Sequence, residues 1–434
     1  MTAELGLFFL ILALLTSLLQ ASFLLPLPGL RKFITACLIP AVWLQALCLT
    51  LAFALLMVLR LDSDFSVIGV AANSNLTLPV LYKIVGTWGN HQGSMLLWVW
   101  VLAVFGAAFA FRPMPHDIVI KMFAVAVQSA LCAGFLLLIL FRSNPFARHF
   151  PPPLDGIAPS PVLQDFTLSI YPPLLYLGDA GFSILFSLVV AALIQGTMQR
   201  SWVGIMYPWI LASWSVLTIG MALGSWRTYH AADSGGFRFW NPMENVSLIP
   251  WLCGTALLHS NMALKKASIQ QWIKKRGYAR ISLPVFLSHL GVALLIAGVT
   301  GASVWKEEVG REISVGDTIK IAGYHLTYDK QFFEDTTDYH TKHGRFRVTD
   351  SSGKEIATLR PEFRTDEIRK MVASVAAIYS TFSYDLYAII GESSTDGERT
   401  ATHIYYNPLI NLIWIGCLLM ALGGIAGIII RRKI

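Results

Sequence analysis

Apolar runs long enough to cross a bilayer recur along almost the whole chain, and no soluble core absorbs that many. They fall at about residues 6 to 25, 33 to 59, 94 to 111, 117 to 141, 172 to 195, 203 to 223, 248 to 264, 282 to 304 and 408 to 430. Each is roughly 17 to 27 residues, enough to span the hydrocarbon layer at about 1.5 Å of helix rise per residue. With 55% hydrophobic and only 14% charged residues among 434, the pattern predicts an all-α polytopic membrane protein of about nine transmembrane helices. The net charge of +7 does not indicate a nucleic-acid partner, because the basic residues sit at the ends of apolar runs, where membrane topology explains them. The five cysteines, Cys37, Cys48, Cys132, Cys253 and Cys417, lie inside apolar runs without C-x-x-C spacing, so they are expected to pack rather than to form a thiol pair or a zinc site.

Nine spans put the two termini on opposite sides. One set of connections carries Arg31, Lys32, Arg112, Arg200, Lys265, Lys266, Lys274, Lys275, Arg276, Arg280, Arg431, Arg432 and Lys433; the other is longer and rich in Asn, Pro, Gly and Trp. The positive-inside tendency makes the first set cytoplasmic. The amino terminus and residues 305 to 405 then face outward and the carboxy terminus inward. The first run has no basic flank or small-residue cleavage site, which reads as a retained helix rather than a signal peptide.

Three regions follow: a helical bundle over 1–304, a small β-rich extracytoplasmic domain over 305–405, and a last helix with a basic tail over 406–434. In the middle region alternating stretches such as His325-Leu326-Thr327-Tyr328 and Arg345-Phe346-Arg347-Val348 are separated by turn signals at Ser352-Gly353 and Asp396-Gly397, the mark of half-buried strands.

The richest chemistry lies between 224 and 266. Residues 224–247 read as an external loop holding Trp226, Tyr229, His230, Phe237, Phe239, Trp240, Pro242, Glu244 and Asn245, followed by a helix over 248–264. Aromatic faces around backbone-exposing glycines make a flat apolar shelf with polar edges, suited to a large planar ligand at the membrane surface, and haem is the obvious candidate. His259 lies six residues before Lys265 and His289 nine after Arg280. On antiparallel neighbouring helices both rings come to about 9 to 13 Å from the cytoplasmic surface. Two neutral imidazoles at one depth are what six-coordinate haem iron needs from a protein. The alternative is that each bonds a neighbouring helix as structural glue. His116, His149, His325, His340, His343 and His403 lie at a helix end or outside, where a solvated role is the expectation.

Two further segments stand out. Gly86-Thr87-Trp88-Gly89-Asn90-His91-Gln92-Gly93-Ser94 leads into the third span, either as an interfacial anchor and helix cap or as a close-approach surface. Gln164 and Asp165 precede Tyr171-Pro172-Pro173. A proline pair suits the first turn of a helix, which puts Tyr171 at the outer mouth of the fifth span.

With these residues in view, the chain resembles the haem lyase family of cytochrome c maturation, the CcmF group and its NrfE-type relatives. The resemblance rests on Asn73-Ser74-Asn75, Trp88-Gly89-Asn90-His91, Ser143-Asn144-Pro145-Phe146, Leu163-Gln164-Asp165, Pro172-Pro173-Leu174-Leu175-Tyr176, Phe239-Trp240 with Pro242 and Glu244-Asn245, Pro250-Trp251, Ala256-Leu257-Leu258-His259-Ser260, His289-Leu290-Gly291 and Asp385-Leu386-Tyr387. It implies residence in a bacterial inner membrane, or the equivalent mitochondrial one, with a tryptophan-rich (WWD) loop facing the periplasm. It implies haem received from a CcmE-type chaperone as transferred substrate and attached to apocytochrome c, with a CcmH-type thiol-handling partner. It also implies a separate transmembrane haem b on two helix histidines, which His259 and His289 match.

The departures from that pattern are specific. The family has an external haem-ligating histidine just before Pro172-Pro173, where this chain has Tyr171, and the region of the second is absent. Additional helices belong between the seventh and eighth spans; here only Lys265 to Ile281 remain, which raises a separate subunit as their source. Arg227, Ser234 and Arg238 replace aromatics, Phe237 replaces tryptophan, Ala231 glutamate and Asn241 aspartate. Three lost aromatic faces at about 1 kcal/mol each weaken haem binding on the loop. Tyr171 as an oxygen ligand, or His230 as a nitrogen ligand with Arg227 and Arg238 pairing propionates, are the compensations open to this sequence. The leading expectation is a shortened haem-binding component of the haem lyase step. The alternative is a degenerate, non-catalytic assembly subunit that keeps a structural haem b. No nucleophile constellation, paired carboxylates or phosphate loop is present in the sequence.

Overall fold

The computed structural model describes residues 1–27, 29–114, 118–157, 166–196, 202–231, 242–264, 279–335, 340–366, 371–394 and 398–432. The chain divides into two compact units. The first is Met1–Pro159, Ser169–Gly220 and Ile249–Lys275; the second is Ser160–Leu168, Met221–Leu248 and Arg276–Ile434.

The first unit is built from α1 (Thr2–Ala21), α2 (Arg31–Leu61), the short α3 (Ile68–Ala71) and α4 (Val80–Val85), α5 (His91–Phe111), α6 (Ile118–Arg142), most of α7 (Phe166–Gln195), and the larger parts of α8 (Trp202–Ala231) and α9 (Pro242–Leu264). Leu10, Ala13, Leu49, Ala52, Leu96, Val99, Leu136 and Ile139 are all fully buried in one core of α1, α2, α5 and α6. Apolar packing is not selective between helices in lipid, so polar side chains fix the pairing. Gln20 Nε2 donates to Gln45 Oε1 at 2.9 Å, Ser129 Oγ donates to Gln20 Oε1 at 2.7 Å, and Gln128 Nε2 donates to Ser183 Oγ at 2.8 Å.

In the second unit α10 (Ala279–Val304) and α11 (Asn411–Arg432) flank an antiparallel β-sandwich. One sheet has the order β1-β10-β9-β8 and the other β2-β3-β4-β6-β7, with β5 also paired to β4. The strands run β1 Glu307–Ile313, β2 Thr318–Ile321, β3 Tyr324–Asp335, β4 His340–Thr349, β5 Glu355–Leu359, β6 Glu362–Asp366, β7 Met371–Val375, β8 Ala377–Ser380, β9 Tyr384–Ser393 and β10 Thr400–Pro408. The turn expected at Ser352-Gly353 is present, with Gly353 at φ 85° and Asp350 Oδ1 accepting from Ser352 N at 2.8 Å. Asp396-Gly397 lies outside the described residues.

The burial of β9 departs from simple alternation, because both its faces are covered. Leu386, Ala388 and Ile390 point into the sandwich interior with Tyr328, Phe346 and Ile404. Tyr387 and Ile389 point the other way, into a second core with Tyr229, Ala302, Tyr405, Ile410 and Ile413. Period-two geometry therefore makes one strand serve two cores.

Eight helices among the described residues are long and apolar enough to cross a membrane, and α9, 23 residues long, adds the apolar stretch Val246–Ser260. One expectation is corrected. Pro172-Pro173 is not in the first turn: α7 begins at Phe166 and both prolines are interior. The residues before them are compatible with a helix, and the pair removes only the amides that would bond the carbonyls of residues 168 and 169.

Candidate functional site

His259 lies on the exposed face of α9, with Cys253, Ala256 and Ser260. Its ring is anchored locally, Nδ1 lying 2.8 Å from the Thr255 carbonyl oxygen. A carbonyl only accepts, so Nδ1 is the N–H and the neutral ring carries its lone pair on Nε2. His289 repeats the arrangement on α10, Nδ1 lying 2.8 Å from the Val285 carbonyl oxygen. It too is exposed, beside Phe286 and Leu290.

The reason His289 faces away from α11 is visible in the seam between α10 and α11. A Cβ added at Gly291 would lie 2.5 Å from the Gly416 carbonyl oxygen, one at Gly298 2.7 Å from Ile413 N, and one at Gly423 within contact of Ser288. Glycine at these positions lets the two backbones touch. The seam takes up the Ser288, Gly291 and Gly298 side of α10, and at about 100° per residue His289 is turned off it.

A third imidazole, His230, ends α8. Nδ1 is 2.9 Å from the Trp226 carbonyl oxygen, and the ring stacks on the Trp226 indole at 4.3 Å between centroids and 24°. Trp226, Tyr229 and His230 are thus helical, not part of a loop as the glycines suggested. Among them the sequence placed on one external shelf, Tyr229 turns inward: it is 1% exposed. Tyr229 Oη donates to Asp385 Oδ2 at 3.0 Å and accepts from Asn407 Nδ2 at 3.1 Å. Tyr387 Oη donates to the Tyr229 carbonyl oxygen at 2.8 Å, and Asn411 Nδ2 donates to Asp385 Oδ1 at 2.9 Å. The Tyr229 carbonyl is among the last four of α8, which have no partner within the helix. Side chains of the sandwich therefore cap the helix. Burial pushes the Asp385 carboxyl above its ordinary value, opposed by hydrogen bonds from Ser380, Tyr229 and Asn411.

The other expected residues are dispersed. Trp88 stacks on Phe53 at 6.5 Å and 14°, packed in the first unit. Asn90 caps α5, its side chain accepting from Gly93 N at 2.8 Å, and His91 is the exposed first residue of that helix. Gly89 N bonds the Val85 carbonyl at 2.9 Å, closing α4. This is the helix-cap role that the segment's composition suggested. Tyr171 is half-buried in the second turn of α7. Pro242, Glu244 and Asn245 lie in the first turn of α9; Gln164, Asp165, Phe237, Phe239 and Trp240 lie outside the described residues. Cys253, expected to pack, is exposed, whereas Cys48 and Cys132 are buried.

Asp385, Asn407 and Asn411 were not singled out as site residues from sequence, and neither were Trp214, Thr218, Trp251 and Thr255. The available signal was a repeated Trp-x-x-x-Thr, at 214–218 and 251–255. Among the described residues no group of three or more His, Cys, Asp or Glu could hold a bare metal ion. Haem iron asks less of a protein, one or two axial ligands. Imidazoles with Nδ1 committed to a carbonyl fit that demand through Nε2.

The family model described as cytochrome C assembly protein matches residues 88–305, and that of the CcmF C-terminal β-sandwich matches 304–408. The chain is 43% identical over 304 residues to the cytochrome c-type biogenesis protein CycK of Bradyrhizobium diazoefficiens, covering 69% of this chain and 45% of that one. It is 40% identical over 306 residues to CcmF of Haemophilus influenzae, covering 69% and 46%. NrfE of the same organism is 42% identical over 273 residues, covering 62% and 42%. The chain thus spans about half the length of the curated relatives it matches. The fold is that of a solved cytochrome c haem lyase CcmF, with a TM-score of 0.83 at 17% identity over 98% of each chain. A polytopic bundle, a carboxy-terminal antiparallel sandwich and both family matches lead to one conclusion: the chain belongs to the CcmF haem lyase family of cytochrome c-type biogenesis proteins.

Proposed function

We propose that the chain is a haem-binding membrane component of the step that attaches haem to apocytochrome c. His259 and His289 are the axial ligands of a transmembrane haem b, and the aromatic segment from Trp226 to Trp240 engages haem arriving as substrate. The observation that carries this reading is the shared anchoring of His259, His289 and His230. Each ring gives its Nδ1 proton to the carbonyl one turn earlier, which fixes the tautomer and leaves the other nitrogen with the lone pair.

Bound haem supplies a redox-active iron, and substrate haem supplies the vinyl groups to which cysteine thiols add. The chain's own part is to hold and orient these groups and to exclude water, a matter of positioning more than of acid–base chemistry. Trp226 and His230 offer a stacked, partly exposed face, and Asp385 with Tyr387 holds the helix end that carries it. Tyr171 and His230 are the candidate replacement ligands for transferred haem. The amino terminus and the aromatic segment are periplasmic and the carboxy terminus cytoplasmic, in line with the basic residues of the connecting segments. A CcmE-type chaperone, apocytochrome c and a CcmH-type protein are the partners this reading requires, and a separate subunit is a candidate partner that co-purification tests.

Purified in detergent, the protein is expected to show a low-spin b-type spectrum that His259→Ala and His289→Ala each abolish; haem indifferent to both substitutions overturns the ligand assignment. Expression in a strain lacking its own lyase, with the partner subunits present, is expected to restore holocytochrome c. Restoration of none, in protein that still holds haem, marks an assembly role without transfer.

A further inference from the structure

Helices α8 and α9 are joined by a reciprocal polar clasp. Trp214 Nε1 donates to Thr255 Oγ1 at 2.8 Å, and Thr255 Oγ1 donates to the Trp251 carbonyl oxygen at 2.9 Å. In the opposite sense Trp251 Nε1 donates to Thr218 Oγ1 at 2.8 Å, and Thr218 Oγ1 donates to the Trp214 carbonyl oxygen at 2.7 Å. The two indoles stack between these arms at 5.5 Å and 23°. Trp214 is 4% exposed and Thr218 2%.

Each arm uses the same Trp-x-x-x-Thr spacing, and the pairing of 214 with 255 and 218 with 251 requires antiparallel helices. Every polar atom of the clasp is used: each indole N–H has an acceptor, and each threonine both accepts across the seam and donates within its own helix. In lipid an unmade bond of this kind has no water to replace it. Rotation of α9 breaks both arms at once.

Thr255 is where this arrangement meets His259. Its hydroxyl is held by Trp214 while its carbonyl holds the His259 Nδ1 proton at 2.8 Å. Two hydrogen bonds and one residue therefore connect a buried indole on α8 to the imidazole on α9. A ring about 5 to 6 Å from a helix axis moves about 2 Å for a rotation of about 20°, far more than a metal–nitrogen bond tolerates.

We propose that the Trp214–Thr255 and Trp251–Thr218 clasp sets the rotation of α9 and thereby aims His259 at haem iron, making Thr255 and Trp214 positioning residues for that ligand. This rests on the reading of His259 as an axial ligand.

The test uses the full-length protein purified in detergent, comparing Thr255→Val, Trp214→Phe and Thr218→Val with Thr255→Ser, which keeps the hydroxyl. Haem retention, midpoint potential and the low-spin electron paramagnetic resonance spectrum are measured alongside helical content. Thr255→Val and Trp214→Phe are expected to weaken haem retention about tenfold, the lower end of the effect of losing a ligand's supporting bond, and to shift the potential and broaden the resonance. Thr218→Val, which leaves the Thr255 arm intact, is expected to do less, and Thr255→Ser to match the parent protein. Should Thr255→Val fail to fold, Trp214→Phe, which keeps the aromatic stack, decides the matter alone. Folded Thr255→Val and Trp214→Phe proteins with parental retention, potential and resonance overturn the inference while leaving the ligand reading intact, provided His259→Ala removes the haem signal. A haem signal unaffected by His259→Ala removes the ligand reading and the clasp's role with it.

Discussion

Helices α9 and α10 each carry an exposed histidine with its Nδ1 on the carbonyl one turn back, at 2.8 Å in both. They are held by opposite means. On α9 the support is chemical: indoles and hydroxyls pair across to α8 with complete hydrogen bonding. On α10 it is steric: glycines let the backbone meet α11 so closely that a Cβ at Gly291 would fall 2.5 Å from a carbonyl oxygen. A polar clasp fixes rotation and tolerates small changes of size, whereas a glycine seam tolerates none and is indifferent to charge. Two histidine-bearing helices are thus held in two different ways in one chain.

The largest expected effect breaks the steric side. Gly291→Leu overpacks the seam against Gly416 and Met420 and is expected to destabilise the protein by about 3 kcal/mol or more, read by unfolding in mixed detergent micelles, with Gly291→Ala milder. Next is the polar cap on α8. Asp385→Ala leaves the buried Tyr229 Oη without its acceptor and Asn411 Nδ2 with the Thr381 carbonyl oxygen and is expected to cost about 1 to 3 kcal/mol, with Asp385→Asn recovering much of it, by the same unfolding assay. Smaller still, Thr255→Val is expected to lower stability by about 0.6 to 1.7 kcal/mol, so that its effect on the haem spectrum exceeds its effect on unfolding.

A pH test separates charge from shape within the sandwich. Burial pushes the Lys342 ammonium down from 10.5 to about 8, with Glu392 opposing, and Nζ donates to Ser393 Oγ at 3.0 Å. Because its folded value is depressed, its contribution is fully present above about 10.5 and is lost as pH falls through about 8. Denaturant resistance should therefore rise between those values, and Lys342→Met should flatten the rise. The glycine seam, which titrates nothing, should show no such slope.

Much of the architecture was legible because hydropathy acts over whole segments. A run such as 33 to 59 has one stable fate in a bilayer, and alternation at Arg345 to Val348 has one stable fate as a strand. Local chemistry at chain ends was less legible. Gly224 and Gly235-Gly236 suggested a loop from 224 onward, yet α8 continues to Ala231, because Tyr229 is captured by residues some 150 positions later in sequence. The burial of Tyr229 and the exposure of Trp226 likewise depend on which face Asp385 and Tyr387 approach, and spacing within 224–230 does not encode that.

By itself the sequence determined the apolar segments long enough to cross a bilayer, the β-rich domain and the place of His259 and His289 along their helices, since each follows from hydrophobic length, alternation or position within one element. Only the tertiary structure decided what holds those histidine-bearing helices. A tryptophan becomes a hydrogen-bond partner, and a glycine a point of backbone contact, only when a distant segment arrives to meet it, and that meeting is a property of the packed chain rather than of any stretch within it.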